Sequence, residues 1–280
     1  MSNRMNDNHK IAFLTPTIRR DLKRFKLLSA SLNQFYHGSY RHYVIVPAND
    51  LSTFKSQIND NHIIFLAEED IIPSYCYPFS KSFFGIKRHR GWLIQQIVKL
   101  SAPQFIEDEN IIAIDSDIIL IRPFNEGIFF EDRVLKLFKT PQLIHEHWIK
   151  ASMRILKLDK LIEPQIDYIG NLIGWKRSVL KKMQEYIESL HHKAWPKVFL
   201  KEPFFSEYNT YGLYYENILK DGSHFTYTES LTYNVWTLEE YKLFKNEIKI
   251  PDQYIGILIQ SNIDLDPSVY CEYIRKNLNG

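Results

Sequence analysis

The sequence predicts an α/β fold: a Rossmann-type, mostly parallel sheet flanked by helices, followed by a mixed, aromatic-rich second half. Two observations carry this expectation. In the first half, aliphatic runs of strand length alternate with segments whose apolar residues recur at helical spacing, the rhythm of βαβ units. One run, Asn110 to Leu120, is aliphatic except around two aspartates, as in strands covered on both faces.

Taken in order, Lys10 to Thr15 forms the first strand and stops at Thr15-Pro16-Thr17. A helix from about Arg20 to Phe35 follows, with Leu22, Phe25, Leu28 and Leu32 along one face. The second strand, Tyr43 to Val46, ends at Pro47-Ala48-Asn49-Asp50, and the third, His62 to Leu66, runs into the acidic loop Glu68-Glu69-Asp70. Trp92 to Leu100 reads as a helix carrying Gln95, Gln96 and Lys99, closed by Ser101-Ala102-Pro103. Beyond Pro123 the pattern turns mixed. Helices are expected over Ile149 to Leu158 and Arg177 to Leu190, and Trp195 to Tyr215 crowds aromatics around Glu207. No repeat, low-complexity tract or flexible linker divides the chain, so one compact unit over residues 1–280 is expected.

In open parallel sheets, ligands bind outside the carboxyl ends of the strands. Thr15 to Thr17, Pro47 to Asp50, and Asp115 with Asp117 all fall at such ends. The aspartate pair, in Ile114-Asp115-Ser116-Asp117, is the strongest chemical signal. Burying a carboxylate is costly unless it is paired or coordinates a metal. Two neighbouring acids also repel, and a hard divalent cation with oxygen ligands, Mn²⁺ or Mg²⁺, resolves both problems. The plainer alternative is a strand end whose acids meet solvent or cap the next turn.

Composition narrows the class. With 280 residues, 45% hydrophobic and 14% aromatic, the chain has material for a large core. A formal charge of +2, from 35 basic and 33 acidic residues, provides no field for nucleic acid. Cys76 and Cys271 make no disulfide framework and fit a reducing compartment. Met1 to Lys10 is polar, and no run approaches the roughly 20 apolar residues of a membrane span. A cytoplasmic protein is the expectation. His145 and His147, two apart in His145-Glu146-His147-Trp148, would point the same way on a strand, but no third ligand accompanies them. Acceptor contact or plain surface is their reading.

These residues resemble the GT-A glycosyltransferases, which use a D-x-D signature to hold a divalent metal on a sugar-nucleotide diphosphate. Several blocks are similar to a bacterial group within that superfamily: Thr15-Pro16-Thr17, Gly91-Trp92 through Leu100, the Asp115 segment, and Phe205-Ser206-Glu207-Tyr208-Asn209-Thr210-Tyr211-Gly212. Together they span roughly Ile11 to Gln260. The resemblance implies a nucleotide-sugar donor, and a carbohydrate or lipid-linked acceptor from surface-polysaccharide or glycolipid assembly. Residues from about 10 to 124 would form the nucleotide-sugar half, and those from about 125 to 280 the acceptor side.

Position by position, Asp117 would ligate the metal, and Asp115 would contact the donor ribose or reach the metal through water. Thr15 and Asp50 would line the nucleoside pocket, with Trp92, Gln96 and Lys99 on the donor side; for Trp92 a place in the core is the alternative. A C-terminal histidine that often completes the metal shell is missing from Leu258-Ile259-Gln260-Ser261-Asn262, leaving Asn262, or His224 from elsewhere, as the candidate. Lys81 to Arg90 gathers basic side chains beside aromatics. It reads as a solvated loop, a contact to donor phosphates, or a peripheral contact with an anionic inner membrane face.

Sugar transfer with inversion needs a carboxylate to take the acceptor proton. Glu207 is the first candidate, because partial burial among Phe204, Phe205 and Tyr208 would raise its proton affinity. Its alternative role is a cap or ion-pair partner at a helix start. Asp167, in Ile166-Asp167-Tyr168, is the second candidate, for acceptor binding or as base. Two other classes stay open: a non-catalytic sugar- or nucleotide-binding protein, and, more distantly, a haloacid-dehalogenase-like phosphatase.

Overall fold

The computed structural model describes residues 10–77, 87–202, 204–247 and 250–278. In order, its regular elements begin β1 (Ile11–Pro16), α1 (Leu22–Phe35), β2 (Tyr40–Val46), α2 (Ala48–Gln57), β3 (Ile63–Ala67), α3 (Glu68–Ile71) and α4 (Lys87–Leu100). The middle holds β4 (Asn110–Ala113), β5 (Ile118–Leu120), β6 (Phe130–Glu131), β7 (Val134–Phe138), α5 (Glu146–Leu156), β8 (Ile173–Lys176), α6 (Arg177–His191), α7 (Trp195–Phe199) and α8 (Glu207–Tyr214). The chain closes with β9 (His224–Tyr227), β10 (Thr232–Val235), α9 (Leu238–Glu247), β11 (Gly256–Ile259) and α10 (Pro267–Leu278). Of the basic stretch Lys81 to Arg90, residues 81–86 lie outside the described residues, and 87–90 open α4.

The central sheet has five strands in the order β3-β2-β1-β4-β8. The first four run parallel and β8 is antiparallel to β4. This is the mostly parallel, helix-flanked sheet that the alternating pattern predicts. The period-two geometry of a strand shows directly in β1. Ala12 and Leu14 face a core shared with Ile97, Trp175, Leu180 and Tyr211, while Ile11 and Phe13 face one shared with Phe25, Leu32 and Phe54. Helices α4, α6 and α8 therefore cover one face, and α1 and α2 the other. Full burial of such a side chain contributes about 1.5–3 kcal/mol each, so both faces together fix the strand register.

Two three-stranded sheets complete the frame, β10-β11-β5 and β6-β7-β9. The first has its own apolar core, with Val235, Phe244, Ile257 and Tyr270 under α9 and α10. Among the described residues, no helix is long and apolar enough to cross a membrane.

Two local expectations are corrected. His145 to Trp148 is not extended: His145 precedes α5, and the next three residues form its first turn. Asn110 to Leu120 is not one strand either. It breaks into β4 and β5, which belong to different sheets.

Candidate active site

That break is where the two candidate aspartates sit. Ile114 to Asp117 crosses from the carboxyl end of β4 to β5, so the two aspartates occupy the turn between sheets. The turn is held from both sides. Ile114 N–H donates to the Leu14 carbonyl at 3.0 Å, and the Thr15 hydroxyl donates to the Ile114 carbonyl at 2.8 Å. On the other side, the Asp117 carbonyl accepts Ile259 N–H at 3.1 Å, and its Oδ2 accepts Ser261 N–H at 3.1 Å.

Thr15 is thus fully buried behind the aspartates. Having given its proton to Ile114, its hydroxyl accepts from His42 Nε2 at 2.8 Å, which sets the imidazole's tautomer. Burial pushes that imidazole down to about 3, so it stays neutral.

The acids differ in what they meet. Asp117 Oδ1 is out of solvent contact and without a hydrogen bond. Burial first, then the neighbouring Asp115, pushes the Asp117 carboxyl up to about 7. Asp115 Oδ1 lies 3.0 Å from Lys99 Nζ, close enough for an ion pair but out of hydrogen-bond alignment. Lys99, on α4, is only 3% exposed. It also meets Glu207 Oε1 at 3.1 Å, donates to the Tyr208 hydroxyl at 2.8 Å, and lies 4.7 Å from that ring's centroid. Burial alone would strip its proton, but Asp115, Tyr208 and Glu207 together hold its proton affinity well above the ordinary value.

Glu207 opens α8, and side chains accept two of the N–H groups at that helix end. Gln96 Oε1 accepts Glu207 N–H at 3.0 Å, and the N-cap Ser206 Oγ accepts Asn209 N–H at 3.3 Å. Burial raises the Glu207 carboxyl above its usual range, with the Lys99 charge opposing the rise. The alternative role read from the sequence is present: Glu207 stands at a helix start and in an ion pair with Lys99.

The structure therefore brings together Gln96, Lys99, Asp115, Asp117 and Glu207. Asn262 lies in the short turn Ser261–Ile263, next to the residue that binds Asp117. Other candidates stand apart. Asp50 Oδ2 accepts Arg19 N–H at 2.9 Å, tying the first turn of α2 to the chain after β1. Asp167 is 1% exposed, with Oδ2 accepting His145 N–H at 3.2 Å, the His145 ring Nδ1 at 2.9 Å, and Oδ1 accepting Ile169 N–H at 2.9 Å. The His145 ring it holds stacks on Trp148 (4.2 Å between centroids), which stacks on Trp92 (5.4 Å). His224 is remote in role: Nε2 meets the Tyr211 hydroxyl at 2.6 Å and Nδ1 the Leu135 carbonyl at 3.1 Å, so neither nitrogen is left for a metal.

The sequence reading missed Tyr208, whose hydroxyl completes the lysine's surroundings, and the Ser261 peptide that binds Asp117. Tyr208 carries a signal in its position beside Glu207. A backbone donor carries none, because every residue but proline has one.

Among the described residues, no three His, Cys, Asp or Glu side chains converge as a metal cage. The donors that are present fit a cation of another kind. Two carboxylates whose Oδ1 atoms are buried without a hydrogen bond are hard-oxygen donors of the type that would suit Mg²⁺ or Mn²⁺ if further oxygen ligands came from outside the protein.

No curated protein matches the chain in sequence. Among solved structures, that of mouse xyloside xylosyltransferase 1, apo form, is similar, with 9% identity and a TM-score of 0.49 over 92% of this chain and 100% of that one. Residues 8–278 match a family of unknown function throughout, and the chain belongs to that family, DUF6492.

Proposed function

We propose that the protein is a metal-assisted glycosyltransferase, moving a sugar from a nucleotide-sugar donor to a carbohydrate or glycolipid acceptor. The observation that carries this reading is the aspartate turn. Two adjacent carboxylates stand at the carboxyl end of a parallel strand, and the charge on Asp117 is so poorly compensated that its carboxyl rises to about 7. A site with that deficit calls for a cation.

In this reading Asp117 and Asp115, with Asn262 as a further candidate ligand, would hold Mn²⁺ or Mg²⁺ for the donor diphosphate. The bound cation would offset the negative charge that develops on the leaving diphosphate. Glu207 accepts the proton of the attacking acceptor hydroxyl, and the ammonium of Lys99 keeps its carboxylate ionised and in place. Gln96 orients Glu207 through its peptide N–H, and Thr15 supports the turn that carries Asp115. Asp50 and Trp92 stay on the donor side of this proposal, and Asp167 serves the acceptor side by fixing His145. Residues from about 10 to 124 then present the donor, and those from about 125 to 280 the acceptor. A cytoplasmic role at the inner membrane face, in bacterial surface-polysaccharide assembly, completes the proposal.

Thermal shift with a panel of sugar nucleotides, with and without Mn²⁺, tests it. A true donor raises the melting point only when the metal is present, because a ligand stabilises the state it binds. A panel with no shift, or hydrolysis of p-nitrophenyl phosphate, counts against transfer. A non-catalytic binding role draws support from one contact, the Lys99 ammonium already lying on Asp115. Slow metal-dependent hydrolysis of a sugar nucleotide excludes that second reading.

A further inference from the structure

Lys99 touches both the aspartate turn and the start of α8. Its Nζ is 3.0 Å from Asp115 Oδ1, 3.1 Å from Glu207 Oε1 and 2.8 Å from the Tyr208 hydroxyl. The two aspartates are consequently unequal. Asp115 already has a full positive charge against its Oδ1, whereas Asp117 meets the Ser261 peptide and its own backbone N–H, stands in no ion pair among the described residues, and leaves Oδ1 without a hydrogen bond. A divalent cation that bridges both acids must share Asp115 with a like charge, and like charges this close repel strongly where water is excluded.

We propose that Lys99 is a built-in counter-cation that competes with the divalent metal for Asp115. Asp117 would be the first residue to hold the metal, and Asp115 would join it only with the ammonium turned wholly onto Glu207 and Tyr208, which it already touches. Lys99 thereby positions Asp115 in the resting protein and sets a ceiling on the affinity for metal alone. The lysine is a poor fit for the plainer role of a static core ion pair, because both of its hydrogen-bonded partners, Glu207 and Tyr208, belong to α8 rather than to the aspartate turn, and the Asp115 side chain is one-third exposed at 33%. The inference rests on the reading of Asp115 and Asp117 as a cation site.

The test uses Mn²⁺ alone, with the unbound ion counted by its paramagnetic resonance signal, on full-length protein whose folding is checked by circular dichroism. In the wild-type background, Asp115→Asn should cost less than about threefold in Mn²⁺ affinity and Asp117→Asn more than about thirtyfold, since only Asp117 offers the metal an uncontested carboxylate. Removing the competitor together with its other acid, in Lys99→Met/Glu207→Gln, should tighten Mn²⁺ by at least about tenfold, while Lys99→Arg, which keeps the charge, should not tighten it. The asymmetry between the two aspartate variants decides the matter even if the double variant fails to fold. Equal losses in Asp115→Asn and Asp117→Asn, or a double variant that binds Mn²⁺ no better than wild type, overturn the competition while leaving the cation site standing. Wild-type and double variant both failing to bind Mn²⁺ removes the cation site itself, and this inference with it.

Discussion

Asp117 Oδ2 and Ser261 N–H are joined at 3.1 Å, so the end of β11 is fastened to the turn that leaves β4. With the bond from Ile259 N–H to the Asp117 carbonyl, this contact couples two separate sheets at the point where the acids emerge. An asparagine can accept the same peptide N–H but cannot supply the charge. Asp117→Asn should therefore melt near the wild-type temperature, yet lose more than about tenfold in Mn²⁺-dependent donor affinity, equal to ~1.4 kcal/mol. Calorimetric titration measures this, and an unchanged donor isotherm removes the metal assignment.

Glu207→Gln separates chemistry from binding. Gln96 holds the backbone of residue 207 rather than its side chain, so the helix start survives the change. Turnover should fall by about 10²–10⁴-fold, the usual contribution of general acid–base catalysis, with a far smaller loss in donor affinity. Retained turnover means that another group takes the acceptor proton.

Asp167 is a test of architecture. Its buried carboxylate accepts from two backbone N–H groups and from the ring of the partly exposed His145. Asp167→Ala leaves those donors unsatisfied and should destabilise the protein by about 1–3 kcal/mol in denaturant melts. A variant of native stability with abolished turnover would instead place Asp167 in the chemistry.

Gly212 lies deep in α8, where an added Cβ would come within 2.2 Å of the Tyr168 ring. Tyr168 is fully buried, so the ring has no free volume to yield. Gly212→Ala should cost about 1–3 kcal/mol or more of stability and shift the start of α8, lowering activity as well. A melting point within experimental error of wild type contradicts the packing described for α8.

Two histidines set the response to acid. Burial pushes both His42 and His224 down to about 3, far below the ordinary histidine value. Between that ordinary value and about 3, the unfolded chain binds a proton at each site and the folded chain does not. Stability contributed by each neutral imidazole is therefore complete above the unfolded value and is lost as pH falls through this window, at up to about 1.4 kcal/mol per pH unit each. Equilibrium melts from pH 7 to 4 should show it, and His224→Gln should flatten the slope. An unchanged slope would falsify the assignment of a neutral buried His224.

The central sheet was legible in the sequence because apolar periodicity reports burial, and β1, β2, β3 and α1 each bury a regular face. The break at Ile114 was not. Residues from Ile111 to Ile121 are aliphatic on both sides of the aspartates, and pattern shows that they are covered without showing which sheet covers them. The N-terminal turn of α5 was misread for a related reason, since two histidines flanking a glutamate fit an extended segment as well as a helix start. Asp115 and Asp117 could be singled out from charge within an apolar run. The contact between Lys99 and Glu207 could not, because 108 residues separate them and no local period relates them. Long-range ion pairs are written in the fold rather than in any window of the chain.

The most direct test of the transferase account is calorimetric titration of the nucleoside diphosphates UDP and GDP into wild type and Asp117→Asn, with and without Mn²⁺. The account predicts saturable binding of one of the two by wild type that requires Mn²⁺ and disappears in the variant. Binding that ignores both the metal and the substitution, or no binding of either diphosphate, contradicts it.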